Sequence, residues 1–105
     1  MGEDIHVVIE HMSDSGLWSC IMELHDMGRS YKIFNKIKNK GTPGFPVNVD
    51  HWTKHLLGED NYGFGWMPMK DFCKIKHIER LIPTSIWLLP KKEYKTLRVV
   101  YSFDH

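Results

Sequence analysis

Glu3-Asp4-Ile5-His6-Val7-Val8-Ile9-Glu10 and Leu97-Arg98-Val99-Val100-Tyr101-Ser102-Phe103-Asp104 are the two stretches that decide the fold. In an extended chain, successive side chains point to opposite faces. The first run therefore sets Ile5, Val7 and Ile9 on one side and Asp4, His6, Val8 and Glu10 on the other. Burying the apolar side on a core turns an acid and an imidazole out of the opposite face. The second run reads as the last strand of the chain, from about residue 95 to 103.

Outward from these runs, Ser13-Asp14-Ser15-Gly16 is a turn cluster and residues 17–24 read as a second strand, antiparallel to the first. Gly16 supplies the positive φ that such a turn calls for. Residues 29–40 form the clearest helix, with Tyr31, Ile33, Phe34 and Ile37 as its apolar stripe and Lys32, Lys36, Lys38 and Lys40 facing solvent. Gly41 ends it. Residues 41–65 carry Gly41, Pro43, Gly44, Pro46, Gly58, Gly63 and Gly65 and read as one long Gly/Pro-rich loop, broken by a helical turn over 50–57 with Asp50 as N-cap. Phe72, Ile75, Ile78 and Leu81 predict a second helix over 69–81, stopped by Pro83. Residues 86–89 read as a short edge strand or loop. The expected architecture is a single α+β domain over 1–105. A small antiparallel sheet, made of the N-terminal hairpin plus the C-terminal strand, carries two helices on one face. The last strand lies beside the first and brings the chain's two ends together.

Composition narrows the function classes. Fourteen basic and thirteen acidic residues leave a net charge of +1, which argues against a nucleic-acid binder. No apolar run reaches the roughly 18–20 residues of a membrane span. Glu3 and Asp4 stand where the basic region of a signal peptide belongs, so the opening does not read as one. Cys20 and Cys73 have no CxxC spacing and read as reduced, buried structural thiols.

No motif of catalysis is present: there is no GxSxG, Walker loop, dinucleotide fingerprint or HExxH. The expectation is a protein that is not an enzyme, with no cofactor and no metal. Asp4, His6 and Glu10 on one strand face and His51 with His55 one helical turn apart are the two metal-like sets. Neither has the ligand count of a recognised site, and hydrogen-bonding histidines explain both. Binding is the better reading. Arg29 and Arg98 can fork a phosphate or carboxylate, and Tyr31, Tyr62, Phe64 and Trp66 are rings suited to stacking on a base. Tyr31 and Trp66 are also natural core residues. Arg98 is either a ligand contact or the partner of Asp4 or Asp104 in a structural ion pair.

In four places the chain resembles a family of small tailed-bacteriophage and prophage proteins. These are the Asp4-Ile5-His6 start and the helix with Arg29, Tyr31, Phe34 and Lys38-Asn39. They are also Asp60 to Trp66 leading into a second helix, and the Arg98 to Asp104 end. Where the family pattern has serines before the Trp, this chain has Asn61-Tyr62-Gly63 and Gly65. The resemblance implies a viral protein acting in the host cytoplasm. Together these readings predict a phage accessory protein that sequesters a small anionic ligand, a nucleotide-type host-defence signal, through His6, Arg29, Tyr62, Phe64, Trp66 and Arg98. It is expected to be a homo-oligomer. The alternative is a protein-interaction module that inhibits a host enzyme through the 62–66 loop, and a metal-dependent hydrolase ranks third.

Overall fold

Alternation and β-branched residues make Asp4–Met12 a strand (β1), and the Ser13–Leu17 turn returns the chain as β2, Trp18–Leu24. In the computed structural model, which describes residues 2–25, 27–83 and 89–105, β1 pairs on its other side with the last strand. The remaining elements are α1 (Tyr31–Lys40), β3 (Thr42–Pro43), α2 (His51–Leu57), β4 (Tyr62–Pro68), α3 (Met69–Phe72), 3-10 helices at Ile78–Arg80 and Lys91–Thr96, and β5 (Leu97–Asp104), so residues 95 and 96 belong to a helical turn and not to the last strand. They form one five-stranded antiparallel sheet in the order β2-β1-β5-β4-β3. The α+β class and the neighbouring ends are as the sequence predicts: Asp4 stands opposite Asp104, and His6 opposite Ser102.

The sheet is larger than the three expected strands, because part of the 41–65 loop is sheet. Tyr62–Pro68 is an inner strand despite its two glycines, and Thr42–Pro43 adds a short edge to it. Gly65 is there for space rather than for a turn. A Cβ on it would lie 2.4 Å from the Tyr101 hydroxyl, and one on Gly41 would lie 1.9 Å from the same oxygen. Gly41 has φ −76°, so its role at the end of α1 is this close approach and not a left-handed cap.

Two apolar layers flank the sheet. Ile5, Val7, Ile9, Val99, Tyr101 and Phe103 face the main core, which α1 and α3 complete with Phe34, Ile37, Met69 and Phe72. The predicted 69–81 helix is replaced by α3, successive tight turns and a 3-10 turn at Ile78–Arg80. Phe72, Ile75, Ile78 and Leu81 are all buried, as expected. Their spacing of three matches a 3-10 repeat better than 3.6 residues per turn, and His77 at φ 67° interrupts any α-helix. The other layer is thin: Val8 and Val100 of the sheet are buried against Leu57 of α2, whose N-cap is Asp50 as predicted. Of the predicted 86–89 segment, residues 86–88 lie outside the described residues.

Candidate functional site

The six candidate ligand contacts separate into two groups at different places on the sheet. His6, Arg29 and Tyr62 gather where the chain's ends meet. Phe64, Trp66 and Arg98 belong to the layer beneath α2. Arg98 lies six positions before Asp104 on β5, roughly 20 Å along the strand at the usual rise. No fork of Arg29 with Arg98 is possible.

Arg98 is also not a ligand contact. It is buried directly opposite Glu10 in the β1–β5 register, and Glu10 is fully buried. Arg98 Nε donates to Glu10 Oε1 at 2.7 Å, and Nη1 donates to the Val47 carbonyl at 3.1 Å. Nη2 lies 2.7 Å from the same Glu10 oxygen without hydrogen-bond alignment, so its contribution is Coulombic. Trp18 covers the guanidinium at 3.9 Å, and Trp66 lies at 6.0 Å. Burial pulls the Arg98 pKa down, and Glu10 works against that. The other Glu10 oxygen accepts from Thr53 Oγ1 at 2.5 Å and from Asp50 N at 2.9 Å. This is the structural ion pair the sequence left open, with Glu10 in place of Asp4 or Asp104. It clamps α2 to the sheet. It also occupies the Glu10 carboxylate, so Glu10 does not converge with Asp4 and His6. Among the described residues, no three His, Cys, Asp or Glu groups are placed to hold a metal.

Phe64 packs in the same layer and contacts Phe45, ring centres 4.8 Å apart, while Trp66 is half-buried on β4. Neither sits in a loop. The 62–66 segment is thus strand rather than loop: Tyr62, Gly65 and Trp66 pair with β5, and Gly63 and Phe64 lie in the bulge between them. Cys20 and Cys73 are free and half-buried, and burial pushes both thiols up.

At the other end the polar groups remain accessible. Arg29 comes just before α1, whose N-cap is Ser30, and it donates through Nε to Asp4 Oδ1 at 2.6 Å. That hydrogen bond holds Asp4 below the usual carboxylate range. His6 Nε2 meets Asp104 Oδ2 at 2.6 Å. Glu3 is the hub. It accepts from Lys38 Nζ at 2.9 and 3.1 Å and from the Tyr62 hydroxyl, and its backbone N–H donates to Tyr31 Oη at 3.3 Å. Burial works to raise the Glu3 pKa, but the Tyr62 and Lys38 hydrogen bonds outweigh it and hold the group low. The same carboxylate pushes the Tyr62 phenol up to about 12. Tyr62 stacks on His105, ring centres 4.9 Å apart.

Gly2, Glu3, Tyr31 and His105 line an open cleft of about 590 Å³ beside this cluster. Tyr31 is 53% exposed, so its ring is offered to the cleft as well as packed edge-on against Phe34. Arg29 Nη1 stands close by, 2.8 Å from where a Cβ on Gly2 would be. Sequence reasoning missed three members of this site. Glu3 looked like a flanking charge. Lys38 reads as a solvated helix lysine, yet its stem crosses the Phe103 ring, with Nζ at 4.3 Å, to reach Glu3. His105 carries no motif, and only the pairing of β1 with β5 brings it here. A second cleft, about 330 Å³, lies between Asp4 and His6 on one side and Glu23 and His25 on the other.

No family model matches the chain, and neither a curated protein nor a solved structure matches it. Among the described residues, no helix is long and apolar enough to cross a membrane.

Proposed function

We propose that the protein binds a small planar anion of nucleotide type in the cleft at the chain's ends, and acts by holding it rather than by transforming it. One observation carries the reading: an exposed tyrosine ring lines a cleft large enough for such a ligand, and the Arg29 guanidinium lies against Gly2 in its wall. Tyr31 and His105, the latter backed by Tyr62, offer faces for a base. Arg29 holds Asp4 through Nε, and its two terminal nitrogens make no hydrogen bond among the described residues, which suits an incoming phosphate oxygen.

Local charge sets the ligand class. Glu3 neutralises Lys38 and Asp4 neutralises Arg29. The cleft is therefore no cage for a polyanion, and a triphosphate meets two carboxylates at the mouth. Ligands of low charge per ring, such as cyclic nucleotides and ADP-ribose-type molecules, fit better. Sequestration of a nucleotide defence signal in the host cytoplasm is the setting that the phage-like motifs suggest.

Isothermal titration against cyclic mononucleotides, cyclic dinucleotides and ADP-ribose tests the reading. A saturable heat with one class, lost in Arg29→Ala, is the expected result. Flat heats with every ligand remove the proposal.

A further inference from the structure

Glu3 fills one corner of the cleft at the chain's ends with an anion of its own. Both of its carboxylate oxygens accept from Lys38 Nζ, at 3.1 and 2.9 Å, and the second also accepts from the Tyr62 hydroxyl. The Glu3 side chain is 15% exposed, so the pairing is largely sheltered from water. Other contacts hold the two donors as well. The Lys38 ammonium lies 4.3 Å from the centre of the Phe103 ring and 6.0 Å from that of Tyr62, and Tyr62 is stacked on His105. Glu3 itself is tied less firmly. The β1–β5 register starts one residue later, at Asp4 opposite Asp104, so the Glu3 side chain can turn outward without opening a sheet pair.

We infer that Glu3 is an internal stand-in for a ligand phosphate, and that the cleft takes a diphosphate group, such as that of ADP-ribose, when Glu3 turns out. This rests on the cleft being the binding site. An ammonium and a phenol that donate to carboxylate oxygens offer the same hydrogen bonds to phosphate oxygens. Arg29 stands against Gly2, the neighbouring residue, and holds Asp4 through Nε alone. Displacing Glu3 therefore leaves two cations, Lys38 and Arg29, beside the Gly2-Glu3 dipeptide, with Asp4 as their one carboxylate instead of two. That balance suits two bridged phosphates. A cyclic mononucleotide has a single phosphate, and Arg29 serves it with Glu3 still in place. The second phosphate finds its donors free only in those molecules whose Glu3 is turned out, and its apparent affinity falls by that fraction.

Isothermal titration of ADP-ribose and of inorganic diphosphate into wild type, Glu3→Gln, Glu3→Ala and the Glu3→Ala, Lys38→Met double variant tests the inference. Glu3→Ala is expected to bind ADP-ribose about tenfold more tightly than wild type, the gain from clearing an occupant that is in place roughly 90% of the time. Glu3→Gln, which keeps the size and removes the charge, is expected to fall between them, and the double variant to lose the gain. A merely structural Glu3 has the opposite sign, because a loosened cleft binds less. ADP-ribose that binds wild type as tightly as both Glu3 variants, or more tightly, overturns the inference and leaves the cleft as the nucleotide site. A gain that survives Lys38→Met also overturns it. Diphosphate that binds Glu3→Ala and not wild type, with ADP-ribose bound by neither, sustains the stand-in and removes the nucleotide. Flat heats with both probes in all four proteins overturn both.

Discussion

Glu10–Arg98 and Asp4–Arg29 are both carboxylate–guanidinium pairs anchored on β1, yet they do opposite work. The first is sealed under Trp18 and α2, and holds a helix to the sheet. The second lies open at the end of the sheet, with more than half of the Arg29 side chain in water. Position along one strand, rather than residue type, separates a structural clamp from a group free to meet a ligand. A buried pair stripped of one partner leaves an uncompensated charge, whereas an exposed charge finds water instead.

The largest expected effect breaks the buried side of this contrast. Arg98→Ala is expected to destabilise the fold by about 3–5 kcal/mol, measured by urea unfolding. Replacing both partners, Glu10→Leu with Arg98→Met, is expected to recover part of that loss, because no charge is then left alone although Thr53 Oγ1, Asp50 N and the Val47 carbonyl lose their partners. If the single variant unfolds like wild type, the pair is not the clamp described here.

Next comes ligand recognition. Tyr31→Ala is expected to weaken binding of whichever nucleotide titrates by about tenfold or more, the usual worth of one stacked ring. Its urea midpoint should move far less than that of Arg98→Ala.

Glu3 lies between the extremes. Its carboxyl is held low by Tyr62 and Lys38, so the charged form is favoured in the folded state. That stabilisation is complete above the ordinary carboxylate pKa of 4.5 and is lost as pH falls through the lowered folded value. Glu3→Gln is therefore expected to lower the melting temperature at neutral pH and to flatten its decline in acid. On the alkaline side the sign reverses. Tyr62 is neutral in the fold up to about 12, so its contribution fades as pH rises from 10 towards that value, and Tyr62→Phe reduces the slope, the remainder belonging to Tyr94 and Tyr101, whose phenols burial also pushes up. The smallest effect belongs to Asp4→Asn, expected to leave the melting temperature unchanged because the Asp4–Arg29 pair is open to solvent.

Several of these features were legible in the residues. Alternation in 4–12 and 97–104, turn chemistry at Ser13 to Gly16 and the stripe in 31–40 carried the α+β class, the hairpin, α1 and the pairing of the two ends. Asp50 announced α2 as an N-cap. Tyr62–Pro68 was not legible as a strand, because glycines that normally signal a loop are here required by the Tyr101 hydroxyl, a contact between residues distant in sequence. The spacing of three in 69–81 was visible, but it describes a 3-10 path as well as a poor α-helix. Arg29 and Tyr62 were identified as candidates and do stand together; Arg98 was grouped with them because the last strand lies beside the first, but it sits at the far end of that pairing, opposite Glu10.

Local pattern alone determined which segments are extended, which are helical and which side of each is apolar, because those properties repeat every two or three to four residues. Whether a given charge is buried or exposed was decided only by what packs over it. Glu10 and Asp4 project from the same face of the same strand, and nothing in their neighbours distinguishes them. Helix α2, Trp18 and Trp66 come from three separate parts of the chain, and their arrival over one end of β1 excludes water there and leaves it at the other.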